Sequence, residues 1–230
     1  MDSSTRAIVR GSGVAGLLVA LLLIPAAGAS GTTLTKVKVD TYLAAGYERQ
    51  VDGRTCTAAS TAMMENFIAR SDLGLRQLSI PAYEQSHDAL NDKIQRGSDP
   101  LGWASAATHY SVNAGDATTY RWVAYPSKMA ALNAAAKAIA KLHKPVGVAV
   151  WNGGHAIVMT GFGASADPNK GAFLLTAVIT SDPYTSGQTV GQHRTWAPDA
   201  FPFGKYLQLD ATPSYDAAWY GKWIVIVPID

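Results

Sequence analysis

The 230-residue chain is 48% hydrophobic and 16% charged, with a formal net charge of +2. That composition belongs to an ordinary globular domain able to bury a core, and one domain is the expectation. Without the first 29 residues, 17 basic and 16 acidic residues remain, so nucleic acid and polybasic membrane contacts are excluded as expected partners.

The chain begins with Arg6 and Arg10, an apolar run over residues 14–24, and a small-residue stretch ending at Ala27, Gly28 and Ala29. This pattern predicts a secretory signal over residues 1–29, cleaved after Ala29, and a secreted or extracellular mature domain over residues 30–230. Association with the cell envelope is compatible with it. The run is about half the ~20 apolar residues of a spanning helix, so no stable membrane insertion is expected after cleavage.

Residues 36–39 (Lys-Val-Lys-Val) alternate as a short strand, followed by a loop through residues 46–54. A helix is predicted over residues 57–70, where Ala58, Ala59, Ala62, Met63, Phe67 and Ile68 supply an apolar stripe among good helix formers. Cys56 stands at its first turn. Residues 71–124 read as a helical portion, with helices at 83–95 and 101–110 and a turn at Asp99-Pro100 between them. A strong alanine-rich helix follows over residues 127–143, with Ser127 as its cap. Past Pro145 the chain turns β-branched and aromatic, predicting strands at 146–151, 156–162, 172–180 and 223–227. Residues 184–220, rich in Pro, Gly and aromatics, read as an insertion before the last strand, whose aromatics form a small core of their own. Helices first and strands later make an α+β fold.

Cys56 is the chain's single cysteine. In an exported protein a lone cysteine is a buried small hydrophobe, half of an intermolecular bridge, or a thiol kept for its reactivity. The unpaired N–H groups and macrodipole of a helix N-terminus favour an anion, and a thiolate is one. His155 opens a predicted strand after Gly153-Gly154, which clears space beside the imidazole. His87, His109, His143 and His193 lack comparable surroundings. Asp182 ends the next strand. If the intervening turn centres near residues 168 and 169, positions 155 and 182 lie opposite each other on one face, about 5 Å apart at Cβ. Asp182 then accepts a hydrogen bond from one ring nitrogen of His155 and leaves the other for the thiol. Gln50, six residues before Cys56, brings a side-chain amide suited to an oxyanion. Each residue alone also reads as packing, surface or turn chemistry.

Taken in order, Gln50 through Cys56 to Ser60, Lys144-Pro145-Val146 leading into Gly154-His155-Ala156-Ile157-Val158, and Ser181-Asp182-Pro183-Tyr184 resemble the papain-like cysteine peptidases. The branch is that of the bacterial double-glycine leader peptidases of bacteriocin exporters and their stand-alone secreted relatives, the peptidase C-thirty-nine-like proteins. Residues 97–101 resemble its helical portion. The resemblance spans roughly residues 42–184 and the final strand. It implies a papain-like fold, with the nucleophile helix packed on a C-terminal antiparallel sheet. It also implies roles for Cys56 as nucleophile, His155 as proton shuttle, Asp182 as orienter and Gln50 at the oxyanion, acting on a peptide or protein substrate. No metal or organic cofactor is implied. Thr57 stands where the exporter peptidases frequently have Gly-Pro after the cysteine, so leader removal during export is not the expected role. The same framework also serves an amidase, a transglutaminase-like enzyme or a cell-wall peptidase, or a catalytically inactive secreted binding protein.

Overall fold

The computed structural model describes residues 34–75, 77, 79–89, 97–184, 191–208 and 217–230, all within one unit, Thr33–Asp230. The predicted signal peptide lies outside the described residues. The first helix, α1 (Cys56–Ala69), is buried almost all round, with Ala58, Ala59, Ala62, Met63, Met64 and Phe67 inside. Small side chains on one flank let neighbouring elements approach, while the methionines and Phe67 fill the remaining space. A left-handed Arg70 ends the helix and donates from a guanidinium nitrogen to the Thr41 carbonyl at 2.7 Å.

Two further helices pack beside it. Helix α2 (Ile80–His87) carries Pro81 in its first turn, where a missing N–H costs nothing. It ends sooner than the predicted 83–95 because Asp88 is extended and its carboxylate accepts from Ser98 Oγ and Asp99 N. Positions 90–95 lie outside the described residues. Helix α3 (Pro100–Tyr110) is capped by Asp99, whose Oδ1 accepts from Leu101 N at 2.8 Å and Gly102 N at 2.9 Å, satisfying two orphan donors.

The described residues form seven strands in one antiparallel sheet: β1 (Val37–Asp40), β2 (Tyr120–Tyr125), β3 (Val146–Val150), β4 (His155–Ala164), β5 (Leu175–Ser181), β6 (Arg194–Trp196) and β7 (Trp223–Pro228). Their order is β2-β7-β3-β4-β5-β6, with β1 paired to the distal half of β4. Strand β2 adds to the helical portion expected over residues 71–124 a strand not anticipated there. Its aromatics gain stability only by pairing with β7 from the far end of the chain, and no local pattern encodes that partner. Helix α4 (Lys128–Leu142) covers one sheet face with Ala131, Leu132, Ala135, Ala136 and Ile139. Its predicted cap is in place, with Ser127 Oγ accepting from Ala130 N at 3.2 Å. The arrangement of helices and large antiparallel sheet is the α+β papain-like fold.

Strand β6 lies within residues 184–220, and the buried aromatics among the described residues of that segment join the larger packing instead of forming a core of their own. Phe201 and Phe203 enter the core under α4, while Tyr206 and Trp219 pack with Ala149 and Ile224. Area accounts for the difference, because aromatic rings that reach an existing core bury more surface there than against each other.

The β4–β5 register also differs from the expected one. Val158 pairs with Ser181 and Met159 with Thr180, and Thr160 bulges before the ladder resumes at Gly161 and Ile179. The turn does centre at 168 and 169, with Lys170 N donating to the Asp167 carbonyl at 3.1 Å, but further residues follow it before pairing resumes, so Ser165 N donates to the Leu174 carbonyl at 2.9 Å where a symmetric hairpin pairs it with residue 172. Continuing this register puts Asp182 beside Ile157, two positions from His155. A two-residue shift leaves every side chain on its original face, so the two residues remain diagonal neighbours.

Candidate active site

Cys56 is the first residue of α1 and is partly exposed. The preceding loop is held by hydrogen bonds rather than by apolar packing. Thr55 Oγ1 accepts from Val51 N at 3.2 Å and Asp52 N at 3.3 Å, and Arg54 N donates to Asp52 Oδ1 at 2.8 Å. Gln77 ties it from outside, its Nε2 donating to the Arg49 carbonyl at 2.7 Å and its Oε1 accepting from Val51 N at 3.2 Å. Ser60, one turn along α1, donates to the Ala156 carbonyl at 3.2 Å. That bond fixes the nucleophile helix to β4 one residue from His155.

His155 opens β4 and is only 4% exposed. Its Nε2 lies 2.7 Å from Asp182 Oδ1, and the Cys56 thiol is near enough to act on its protonation. With Nε2 taken by Asp182, Nδ1 is the nitrogen left for the thiol. Burial alone pulls the imidazole down, but the hydrogen bond to Asp182, the neighbouring Cys56 and the charges of both outweigh it. The pKa is held up to about 9, so the imidazolium persists through neutral pH.

Asp182 is itself restrained. The Oδ1 that meets His155 also accepts from Tyr184 N at 2.8 Å, closing an Asx-type turn over Pro183. Its backbone N–H donates to the Gly191 carbonyl at 2.9 Å, and its carbonyl accepts from Tyr47 Oη at 3.1 Å. Gln50 N donates to the Pro183 carbonyl at 3.1 Å, joining the loop before the nucleophile to the turn after the orienter. The Gln50 side chain is buried, with Nε2 donating to the Asp52 carbonyl at 2.6 Å and Oε1 lacking a protein partner. Thus His155 and Asp182 are joined by a side-chain hydrogen bond with Cys56 nearby, and Gln50 is tied to the same turn through its backbone.

Two further residues at the site escaped the sequence reading. Trp151 stacks on His155 with ring centroids 4.3 Å apart and planes 26° apart, and Tyr184 meets both rings edge-on, at 5.8 Å from Trp151 and 6.1 Å from His155. The available signal was adjacency, since Trp151 precedes the glycine pair and Tyr184 follows the Asp-Pro. His193 also needs correcting, for it has a carboxylate partner of its own. Its Nε2 lies 2.7 Å from Asp40 Oδ2, and its ring stacks on Tyr42. The only cysteine of the chain acts on His155, so this second pair has no thiol to activate.

A helix that presents a cysteine to a histidine on an antiparallel sheet defines the papain-like class. Residues 42–209 match the model of the Peptidase_C39 like family, and the chain belongs to that family. Membership points to a cysteine peptidase, a hydrolase of the thiol protease kind. No curated protein matches the chain. Among the described residues, no helix is long and apolar enough to cross a membrane.

Proposed function

We propose that this protein is an exported cysteine peptidase that hydrolyses peptide bonds through Cys56, His155 and Asp182. The observation that carries the reading is the position of His155, which engages Asp182 through Nε2 at 2.7 Å while the Cys56 thiol lies near enough to raise its pKa. Such a chain of nucleophile, base and orienter is the arrangement nucleophilic catalysis requires. The thiolate of Cys56 attacks the peptide carbonyl carbon, and the carbonyl electron pair moves onto oxygen. The Cys56 backbone N–H and the second amide hydrogen of Gln50 stabilise that oxyanion. As the tetrahedral centre collapses, the C–N bond breaks and the His155 imidazolium protonates the departing amine, leaving a thioester on Cys56. His155, now neutral, takes a proton from water as its oxygen attacks the thioester. The acid is released and the thiolate–imidazolium pair returns. Asp182 keeps the imidazole in the orientation that faces the sulfur.

The substrate is a peptide or protein, and the site of action follows from the signal predicted over residues 1–29, which places the mature enzyme outside the cytoplasm. N-terminal sequencing of the mature protein is expected to begin at Ser30.

Thiol labelling combined with peptide hydrolysis tests the mechanism. Iodoacetamide is expected to modify Cys56 in the folded protein and abolish hydrolysis, with labelling slowed in His155→Ala. Cys56→Ala is expected to lose hydrolysis entirely while its circular dichroism stays that of the parent. Full hydrolysis by Cys56→Ala, or labelling of the parent only after denaturation, overturns the reading.

A further inference from the structure

The turn between β3 and β4 holds a large aromatic side chain in an unusual backbone. Trp151, Asn152 and Gly153 all have positive φ, at 51°, 59° and 87°. Only the third is a residue that adopts this region without cost, whereas a bulky aromatic there is a rare outlier. The structure around the turn enforces it. Leu207 N donates to the Asn152 carbonyl at 2.9 Å, Gly154 N donates to the Trp151 carbonyl at 3.0 Å, and the Tyr206 ring fills the space a Cβ on Gly153 would need.

The result of this strain is a tryptophan stacked on the catalytic imidazole yet 52% exposed, with Tyr184, 48% exposed, standing edge-on to it. A tryptophan needed only to pack against His155 would turn its remaining face into the fold. Here two neighbouring aromatic rings instead keep apolar surface open to solvent beside the catalytic histidine. The two rings are supplied by separate segments, one before His155 and one just after Asp182, and they converge on the imidazole. A small apolar surface beside reacting groups is a recognition surface by chemistry as well as by position.

The mechanism decides which part of a substrate meets it. His155 gives its proton to the departing amine, so the leaving group must sit on the imidazole side of the sulfur. The side chain of the first residue after the scissile bond then projects toward the rings that flank that imidazole. We infer that Trp151 and Tyr184 form the leaving-group subsite and select an aromatic or large apolar residue immediately after the cleaved bond. This inference rests on the peptidase reading and adds a substrate preference to it.

Partitioning of the acyl-enzyme isolates this subsite. Full-length mature protein is acylated with the p-nitrophenyl ester of benzyloxycarbonyl-glycine, using Cys56→Ala as the blank, in the presence of glycinamide or phenylalaninamide. In the transfer reaction the amine nitrogen bonds to the thioester carbon and the C–S bond breaks. The amine proton passes to His155, and sulfur leaves as thiolate. The amine thus enters through the same subsite by which a leaving group departs. The ratio of amide to free acid is expected to favour phenylalaninamide over glycinamide roughly tenfold, the factor that about 1.4 kcal/mol of aromatic contact supplies. Because the comparison is made within each variant, any loss of overall rate cancels. In Trp151→Ala and in Tyr184→Ala the preference is expected to fall toward unity, and Trp151→Phe is expected to retain part of it. Equal partitioning in the parent, or a preference unchanged in both alanine variants, overturns the subsite. Absence of Cys56-dependent nitrophenol release has a different signature, for it overturns the peptidase reading beneath.

Discussion

At the scale of single residues, the imidazole of His155 is under opposing forces, and their balance makes a prediction. Burial lowers its pKa, while Asp182 and Cys56 raise it, and the partners win by enough to bring it to about 9. In the proposed cycle the imidazolium is the acid that releases the amine, so kcat/KM is expected to decline as pH rises through about 9. Asp182→Ala removes the hydrogen bond that most raises the value and leaves burial in place, so the alkaline limb moves to lower pH. The same variant frees the ring to rotate, and kcat/KM falls by roughly 10²–10⁴, the usual scale of positioned proton transfer. A pH–rate profile of parent and variant measures both effects. An unmoved limb means that Asp182 does not set the protonation of His155. The contact of Asp182 with His155 was legible in the sequence through the hairpin, and Cys56 stood out as the only thiol. Trp151 was not, because its place over the imidazole depends on backbone angles that a tryptophan ordinarily avoids.

At the scale of elements, the longest strand organises the site. One edge of β4 is shared by β3 over residues 155–159 and β1 over residues 161–164, and the other edge pairs with β5. The bulge at Thr160 divides these regions, and Gly161 beyond it admits β1 so closely that an added Cβ would collide with the Val39 carbonyl oxygen. Backbone carbonyls cannot swing aside as side-chain ends can. Gly161→Ala is therefore expected to lower stability by about 1–3 kcal/mol, with a matching loss in thermal midpoint and faster amide exchange in β1. Retention of the parental midpoint would show that β1 docks less tightly than this contact implies. Elements whose stability is local were legible: α1, α3 and α4 from caps and apolar stripes, and the β3–β4–β5 meander from short connections. Strands β2 and β6 were not, since each owes its structure to a partner distant in the chain or across the sheet. The β4–β5 register was legible in its face but not its position, because alternation distinguishes odd shifts from even ones and cannot detect a slip of two.

At the scale of the whole molecule, the interior contains carboxyl groups whose burial sets how stability varies with pH. Glu65 of α1 is fully buried with both oxygens lacking a protein partner, and desolvation raises it from 4.5 to about 8. The positive charge of Lys144 offsets this only in part, as Lys144 is already paired with Asp116 at 3.1 Å. Glu84 of α2 is raised to about 8 by burial as well, against the opposing hydrogen bond it accepts from Thr57 Oγ1 at 2.8 Å. Between pH about 4.5 and 8 these groups hold protons in the folded state that the unfolded chain has released. Stability must then fall as pH rises, by at most roughly 1.4 kcal/mol per group for each unit of that window. His155 acts in the same direction over a later range. Its contribution is full below about 6.5 and is lost as pH climbs through about 9. The thermal midpoint is thus expected to be higher near pH 5 than near pH 9. Glu65→Gln keeps the shape and the neutral charge but cannot ionise in the unfolded chain, so it is expected to raise stability above pH 5 and flatten its decline, with the gain growing up to about pH 8. Denaturant melts of parent and variant across this range decide the matter. A parallel offset between the two curves would show that Glu65 is ionised in the folded protein and that Lys144 compensates it more fully than its pairing with Asp116 allows.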